Sequence, residues 1–136
     1  MDKRRPRILI VEDDVLLAWV AWTGLERAAF EVIGVADGSG AVAAAVAGRP
    51  DLVIMDIDVI ERATGRPGGG VAAAAAIHDR AGIRCLLTGC SRGQPPAWRA
   101  VADPAGWLSK PYGDSDLVAA VRTALEGRER QAHPLP

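Results

Sequence analysis

Cysteine is nearly absent from this chain: only Cys85 and Cys90 occur, too close together and too plainly set to build a disulfide framework or a thiolate metal site. A reduced, cytosolic setting is the expectation. An excess of one charge is also missing. Sixteen Lys and Arg against seventeen Asp and Glu leave a formal net charge of −1, and no basic stripe emerges, which argues against nucleic acid as the main partner. No apolar run approaches membrane-spanning length, and the charged opening MDKRRPR is not followed by the apolar stretch of a signal peptide. A soluble cytoplasmic protein with no membrane partner is therefore expected. His78 has no second His, Cys or carboxylate at metal-ligand spacing, which makes it a surface residue. Internal repeats and interdomain linkers are lacking too, so the chain reads as one domain.

What the chain does have is apolar content. Hydrophobic residues make up 49% of it, enough for a domain of 136 residues to bury a substantial core. Short strands alternate with helices. RILIV forms a strand at 7–11, and the acidic EDD after it opens a helix over 15–29 with Asp13 or Asp14 as its cap. Leu17, Val20, Ala21, Gly24, Leu25 and Ala28 share one helical face, the expected core stripe, while Trp19, Trp22 and Glu26 fall largely on the other side. A β-branched strand at 31–36 stops at Asp37-Gly38, Ser39 is placed to cap an alanine-rich helix, and Gly48, Arg49 and Pro50 end that helix. LVIMDID, 52–58, reads as a buried central strand ending in a carboxylate.

The breakers in 59–69 predict a flexible loop, followed by a helix from Gly70 or Val71 to Ala81-Gly82 and a fourth strand at 83–88. Gly93, Pro95, Pro96 and Pro104 leave room only for a short or irregular fourth helix around AWRAVA. Gly106 to Ser109 is the fifth strand, and a last helix capped by Asp114 or Ser115 runs to Gly127. The pattern predicts an α/β domain, a doubly wound five-stranded parallel sheet of order 2-1-3-4-5 in a three-layer sandwich. Residues 1–6 are then an N-terminal extension, 7–127 the domain and 128–136 a disordered polar tail.

In that order strands 1 and 3 lie side by side, so Glu12, Asp13 and Asp14 meet Asp56, with Thr88 ending strand 4 and Lys110 following strand 5. Carboxylates gathered at one sheet edge repel one another and need a cation. Hard oxygen ligands suit Mg2+, with Asp13 and Asp56 as the expected direct ligands. With the metal bound, Asp56 can attack a phosphoryl donor to form an acyl phosphate. Lys110 would pair with one phosphoryl oxygen and the Thr88 hydroxyl would donate to another.

ILIVEDD, LVIMDID, LLTG and GWLSKPY, in that order over roughly 7–127, resemble the response regulator receiver domains of two-component signalling. The resemblance implies a flavodoxin-like, chemotaxis-regulator-like receiver with Asp56 as phosphoacceptor and Glu12 and Asp13 as the acidic pair, Asp13 being the principal Mg2+ ligand. The backbone carbonyl of Asp58 would be a further ligand, Thr88 the switch hydroxyl, Lys110 the phosphate-contacting lysine and Trp107 the switch aromatic. It also implies a stand-alone phosphoprotein, not an enzyme, fed by a histidine kinase or histidine phosphotransfer protein. Such a protein switches binding to a downstream protein, relays its phosphoryl group, or drains phosphate from a kinase. The sequence departs from the family pattern at Ile60, where receivers commonly carry proline, in a longer loop before Gly70, in the depleted fourth helix, and in having no output domain after the receiver.

Two other readings fit parts of the pattern. A pseudo-receiver would keep the fold as a binding module without switching. DIDV also fits the nucleophile motif of haloacid-dehalogenase-like phosphatases, with Asp58 as general acid, but in that group the nucleophile strand comes first, whereas here EDD precedes Asp56. Trp19 and Trp22, with the face near Trp107, are the expected contact surfaces for a kinase or for a homodimer.

Overall fold

Period-two alternation along the inner strands sorts the core into two halves, one on each side of a parallel sheet. In the computed structural model, which describes residues 4–61, 64–90, 101 and 103–132, the strands are β1 (Arg7–Val11), β2 (Glu31–Ala36), β3 (Leu52–Asp56), β4 (Cys85–Gly89) and β5 (Gly106–Ser109). The described helices are α1 (Val15–Arg27), α2 (Ala41–Gly48), α3 (Gly69–Ala81) and α4 (Asp114–Ala132). All strand pairs are parallel, in the order β2-β1-β3-β4-β5. Both the doubly wound architecture and the strand order match the expectation. The expected fourth helix around AWRAVA lies almost wholly outside the described residues.

Ile8, Ile10, Leu52, Ile54 and Leu86 face α1 and α4, packing with Ala18, Ala21, Leu25, Leu117 and Val121. Leu9, Val11, Val53, Met55 and Leu87 face the opposite way, against Ala41, Ala45, Ala73, Ala74 and Ile77 of α2 and α3. Each fully buried Leu or Ile in these layers contributes roughly 2–3 kcal/mol of burial free energy. Alanine dominates the second half, so α2 and α3 lie close to the sheet and to each other. On the other half, Gly24 brings α1 so near α4 that a Cβ there would meet Asp114 Oδ1 at 2.7 Å.

Several local details differ from the sequence reading. Of the two expected caps of α1, Asp14 takes the role, its Oδ1 accepting from the Leu16 and Leu17 amides at 2.9 and 3.1 Å. The α1 stripe is rotated: Ala18, Ala21, Gly24 and Leu25 are buried, whereas Leu17 and Val20 are exposed and Trp22 is partly buried against the core. Two spans of equal periodicity were available, and the choice fell to the small residues that let α1 approach the sheet. Ser39 does not cap α2. Asp37 closes that turn, accepting from the Ser39 hydroxyl and the Gly40 amide.

α2 ends at Gly48, Arg49 and Pro50 as expected, with Arg49 in the left-handed region (φ 46°) and Gly48 packed so that a Cβ there would sit 2.8 Å from Ile33 Cδ1. For α4, Asp116 at the third position reaches back to the Gly113 amide at 3.2 Å, half of a capping box, instead of a cap from Asp114 or Ser115. The helix also passes through Gly127 to Ala132, so residues 128–132 are helical where a disordered tail was expected. Glu, Arg, Gln and Ala are strong helix formers, and Gly127 leaves space for Arg84, whose guanidinium donates to the Ala124 and Pro104 carbonyls.

Candidate functional site

The switch point between β1 and β3 puts two acidic strand ends side by side, and parallel register does the rest. Asp56 at the end of β3 pairs with Thr88 on β4, and Thr88 with Leu108 on β5. Glu12 follows β1 directly, held by its own amide donating to the Ala36 carbonyl at 3.0 Å. Asp56 is 6% exposed, Glu12 9% and Thr88 1%. Beyond β5, the Lys110 amide donates to the Gly89 carbonyl at 2.7 Å, which aims the side chain back over the sheet edge.

Lys110 Nζ then donates to Glu12 Oε1 at 2.5 Å and to Asp56 Oδ2 at 2.9 Å. The other oxygen of Asp56, Oδ1, accepts from the Asp58 amide at 2.9 Å, so this carboxylate is fixed at both ends. Burial pushes the Glu12 carboxyl above its ordinary range against the pull of Lys110, and neighbouring Asp56 adds to the rise. Burial also works against the Lys110 ammonium, but its hydrogen bonds to Glu12 and Asp56 outweigh this and hold the lysine above its ordinary range. The result is a buried pair of carboxylates sharing one resident cation.

Two glycines set the site's surroundings. A Cβ at Gly70 would lie 2.3 Å from the Asp56 carbonyl oxygen and 2.5 Å from Ile57 Cα, so the first turn of α3 rests on the backbone of β3 itself. Gly89 does the same for Trp107, whose ring crosses it beside Ile57. The Trp107 indole N–H donates to Ser109 Oγ at 3.0 Å, and the ring packs partly buried against the α2–α3 half of the core.

The described residues of the segment after Asp56, 57–61 and 64–69, carry packing and hydrogen bonds of their own. Val59 is buried, the Gly69 amide donates to the Val59 carbonyl at 2.9 Å, and the Glu61 amide donates to the Arg66 carbonyl at 2.8 Å. Here too lies Asp13, whose carboxylate is not part of the Glu12–Lys110–Asp56 group. Its Oδ1 accepts from the Gly38 amide at 3.1 Å and its Oδ2 from the Ile60 amide at 2.7 Å.

Glu12, Asp13, Asp56 and the Asp58 carbonyl match a hard divalent cation such as Mg2+ in kind. In placement they do not: Lys110 stands between two of the carboxylates, Asp13 is turned to the loops, and among the described residues no three His, Cys, Asp or Glu are arranged to hold a metal ion. Sequence reasoning found Glu12, Asp56, Thr88 and Lys110 from strand-end positions. It missed the amides of Ile60, Gly38 and Asp58, which carry no side-chain signal, and the packing roles of Gly70 and Gly89, for which the glycines following LLT and preceding VAAAAA were the available hint.

No family model matches the chain. It is 33% identical over 121 residues to the transcriptional regulatory protein PdtaR of Mycobacterium tuberculosis, covering 88% of this chain and 56% of that protein. The chain thus spans about half the length of the curated relatives it matches. Among solved structures, it is similar to the signal receiver domain of a modulated diguanylate cyclase from Desulfovibrio desulfuricans, with a TM-score of 0.78, 28% identity, and 93% and 98% of the two chains covered. The N-terminal domain of a response regulator/sensory box/GGDEF protein from Carboxydothermus hydrogenoformans gives a TM-score of 0.76 at 28% identity, over 93% and 99% of the two chains. Likeness of fold, of sequence and of strand order all converge, and the chain belongs to the response regulator receiver domains of two-component signalling.

Proposed function

We propose that this receiver accepts a phosphoryl group on the Asp56 carboxylate from a phosphohistidine of a histidine kinase or histidine phosphotransfer protein. The observation that carries the reading is the single Lys110 ammonium shared by Glu12 and Asp56, groups 98 and 54 residues from it in sequence. In the transfer a carboxylate oxygen of Asp56 attacks phosphorus, a P–O bond forms, the P–N bond breaks, and the departing imidazole takes up a proton. The Asp58 amide orients the carboxylate for that attack. Lys110 is placed to move from Asp56 to a phosphoryl oxygen, and the buried Thr88 hydroxyl, level with Asp56 on β4, to donate to another.

Receiver domains are signalling proteins rather than enzymes in the usual sense, and they generally depend on Mg2+, whose bound charge offsets that of the phosphoryl group. Glu12, Asp13, Asp56 and the Asp58 carbonyl are oxygen ligands of the kind it takes, but with Lys110 on Glu12 and Asp56 and Asp13 on loop amides they are not gathered around one point. Rearrangement around Thr88 and Trp107 then alters the surface offered to a downstream protein.

Incubation with acetyl phosphate and magnesium, read by intact mass, tests this. The natural chain gains one phosphoryl group and Asp56→Ala gains none. Absence of an adduct under conditions that label another receiver would favour a binding module that does not switch, and turnover of many phosphate esters would favour a phosphatase.

A further inference from the structure

α1 carries more apolar surface than its own domain covers. Its sequence, VLLAWVAWTGLER, has no charge between Asp14 and Glu26, and a helix that is apolar all round is ordinarily buried all round. Here only one side is buried. Ala18, Ala21, Gly24 and Leu25 meet the core, while Val15, Leu16, Trp19 and Val20 are 82, 70, 63 and 46% exposed. At helical spacing Leu16, Trp19, Val20 and Thr23 form one outward ridge. The Thr23 hydroxyl on that ridge is spent within the helix, donating to the Val20 carbonyl at 3.0 Å.

We propose that this ridge is the interface of a homodimer, in which α1 of one copy packs antiparallel on α1 of a second. A two-fold axis between Trp19 and Val20 sets Leu16 of each copy against Thr23 of the other and Trp19 against Val20, so a large side chain meets a smaller one at every step, as a self-complementary interface requires. The ends match in charge as well. Antiparallel helices bring Asp13 and Asp14 at the start of one α1 to the end of the other, where Arg27 is held only loosely, 3.9 Å from Asp114, and where the Trp22 indole N–H draws Glu26 aside. The exposed side chains present roughly 500 Å² of apolar surface in one patch, near the upper limit for a monomer. Closing two such patches buries about 1,000 Å², where specific interfaces begin, so the dimer is reversible, with a Kd above about 1 μM. A kinase that also used Trp19 would compete with the second copy for it. The dimer involves neither Asp56 nor Lys110 and stands apart from the phosphoacceptor reading.

Sedimentation velocity of the full chain from about 1 μM to about 1 mM tests this. The natural chain and Asp56→Ala both pass from monomer to dimer over that range, while Trp19→Asp, with an unchanged circular dichroism spectrum, has a Kd raised about 30-fold or more, as loss of a central aromatic anchor requires. A second measurement locates the contact. In a Cys90→Ser background, a short bismaleimide links two copies through Val20→Cys but not through Val46→Cys, an equally exposed position on α2. A chain that stays monomeric throughout overturns the proposal, and slower kinase phosphotransfer to Trp19→Asp would then assign the ridge to the kinase alone. A dimer indifferent to Trp19→Asp, or one linked through Val46→Cys and not Val20→Cys, overturns it too, because the copies would then meet elsewhere.

Discussion

The indole of Trp107 lies over the α-carbon of Gly89, so close that a methyl group there would meet its Cη2 atom at 2.8 Å and Ile57 Cγ1 at 3.0 Å. The ring at the switch-aromatic position is thereby packed next to the residue that follows Asp56. Gly89→Ala must push Trp107 or Ile57 aside, and overpacking of this kind costs about 1–3 kcal/mol. Urea unfolding should show that loss, with a shifted Trp107 indole resonance. Wild-type stability and an unmoved indole would mean the contact relaxes without consequence.

Lys110 is the resident cation of an acid pair whose side chains are 8% and 9% exposed. Lys110→Ala leaves Glu12 and Asp56 buried without their partner, a class of change that costs about 3 kcal/mol. Adding Asp56→Asn removes one of the stranded charges and recovers part of the loss. Equal stabilities for the single and double variants would show that Lys110 contributes packing rather than charge.

Cys85 gives a pH dependence whose sign is fixed. Burial raises its thiol from 9.0 to about 12 in the folded chain, so between these values the unfolded chain has lost a proton that the folded chain retains. The unfolded state then binds fewer protons, and stability falls as pH rises through that window, by a few kcal/mol at about 1.4 kcal/mol per pH unit. Replacing Cys85 by Ala flattens this limb. An unchanged slope of denaturation midpoint against pH from 9 to 12 in Cys85→Ala would assign the alkaline loss to Lys110 and Tyr112, whose folded values are also raised.

Ala29 ends α1 in the left-handed region at φ 68°, a conformation that costs an L residue roughly 1 kcal/mol and glycine almost nothing. Ala29→Gly should therefore stabilise the chain by about 0.5–1 kcal/mol, net of the entropy that glycine adds to the unfolded state. The urea midpoint measures it, with Ala28→Gly as a control that gains nothing.

The two tryptophans of α1 separate. Trp19 is 63% exposed, among Val15, Leu16, Leu17 and Val20, which are also exposed, while Trp22 packs against the core and donates to Glu26. Trp19→Ala should change stability by less than about 0.5 kcal/mol and slow phosphotransfer from a kinase; Trp22→Ala should cost about 1–3 kcal/mol. Equal stability losses would contradict this division.

The strand ends were legible because apolar runs stop on polar residues, and that alone was enough to bring Glu12, Asp56, Thr88 and Lys110 together. The inward face of α1 was not, since Leu17 and Val20 carry the same periodicity as Ala18 and Ala21, and only close approach at Gly24 decides between them. Caps followed the same rule: Ser39 and Asp37 are equally good candidates by type, and the turn geometry selects the aspartate. The outward placement of Asp13 could not be read at all, because its partners are backbone amides of residues that look, in one letter, like any others.

The contact of Gly70 with the Asp56 peptide makes the first turn of α3 and the end of β3 one mechanical unit. With the Gly69 amide also tied to the Val59 carbonyl, a displacement of α3 must carry the Asp56 backbone with it. A side chain at position 70 would therefore move Asp56 as well as the helix, and that coupling makes α3 a lever on the strand that bears the carboxylate.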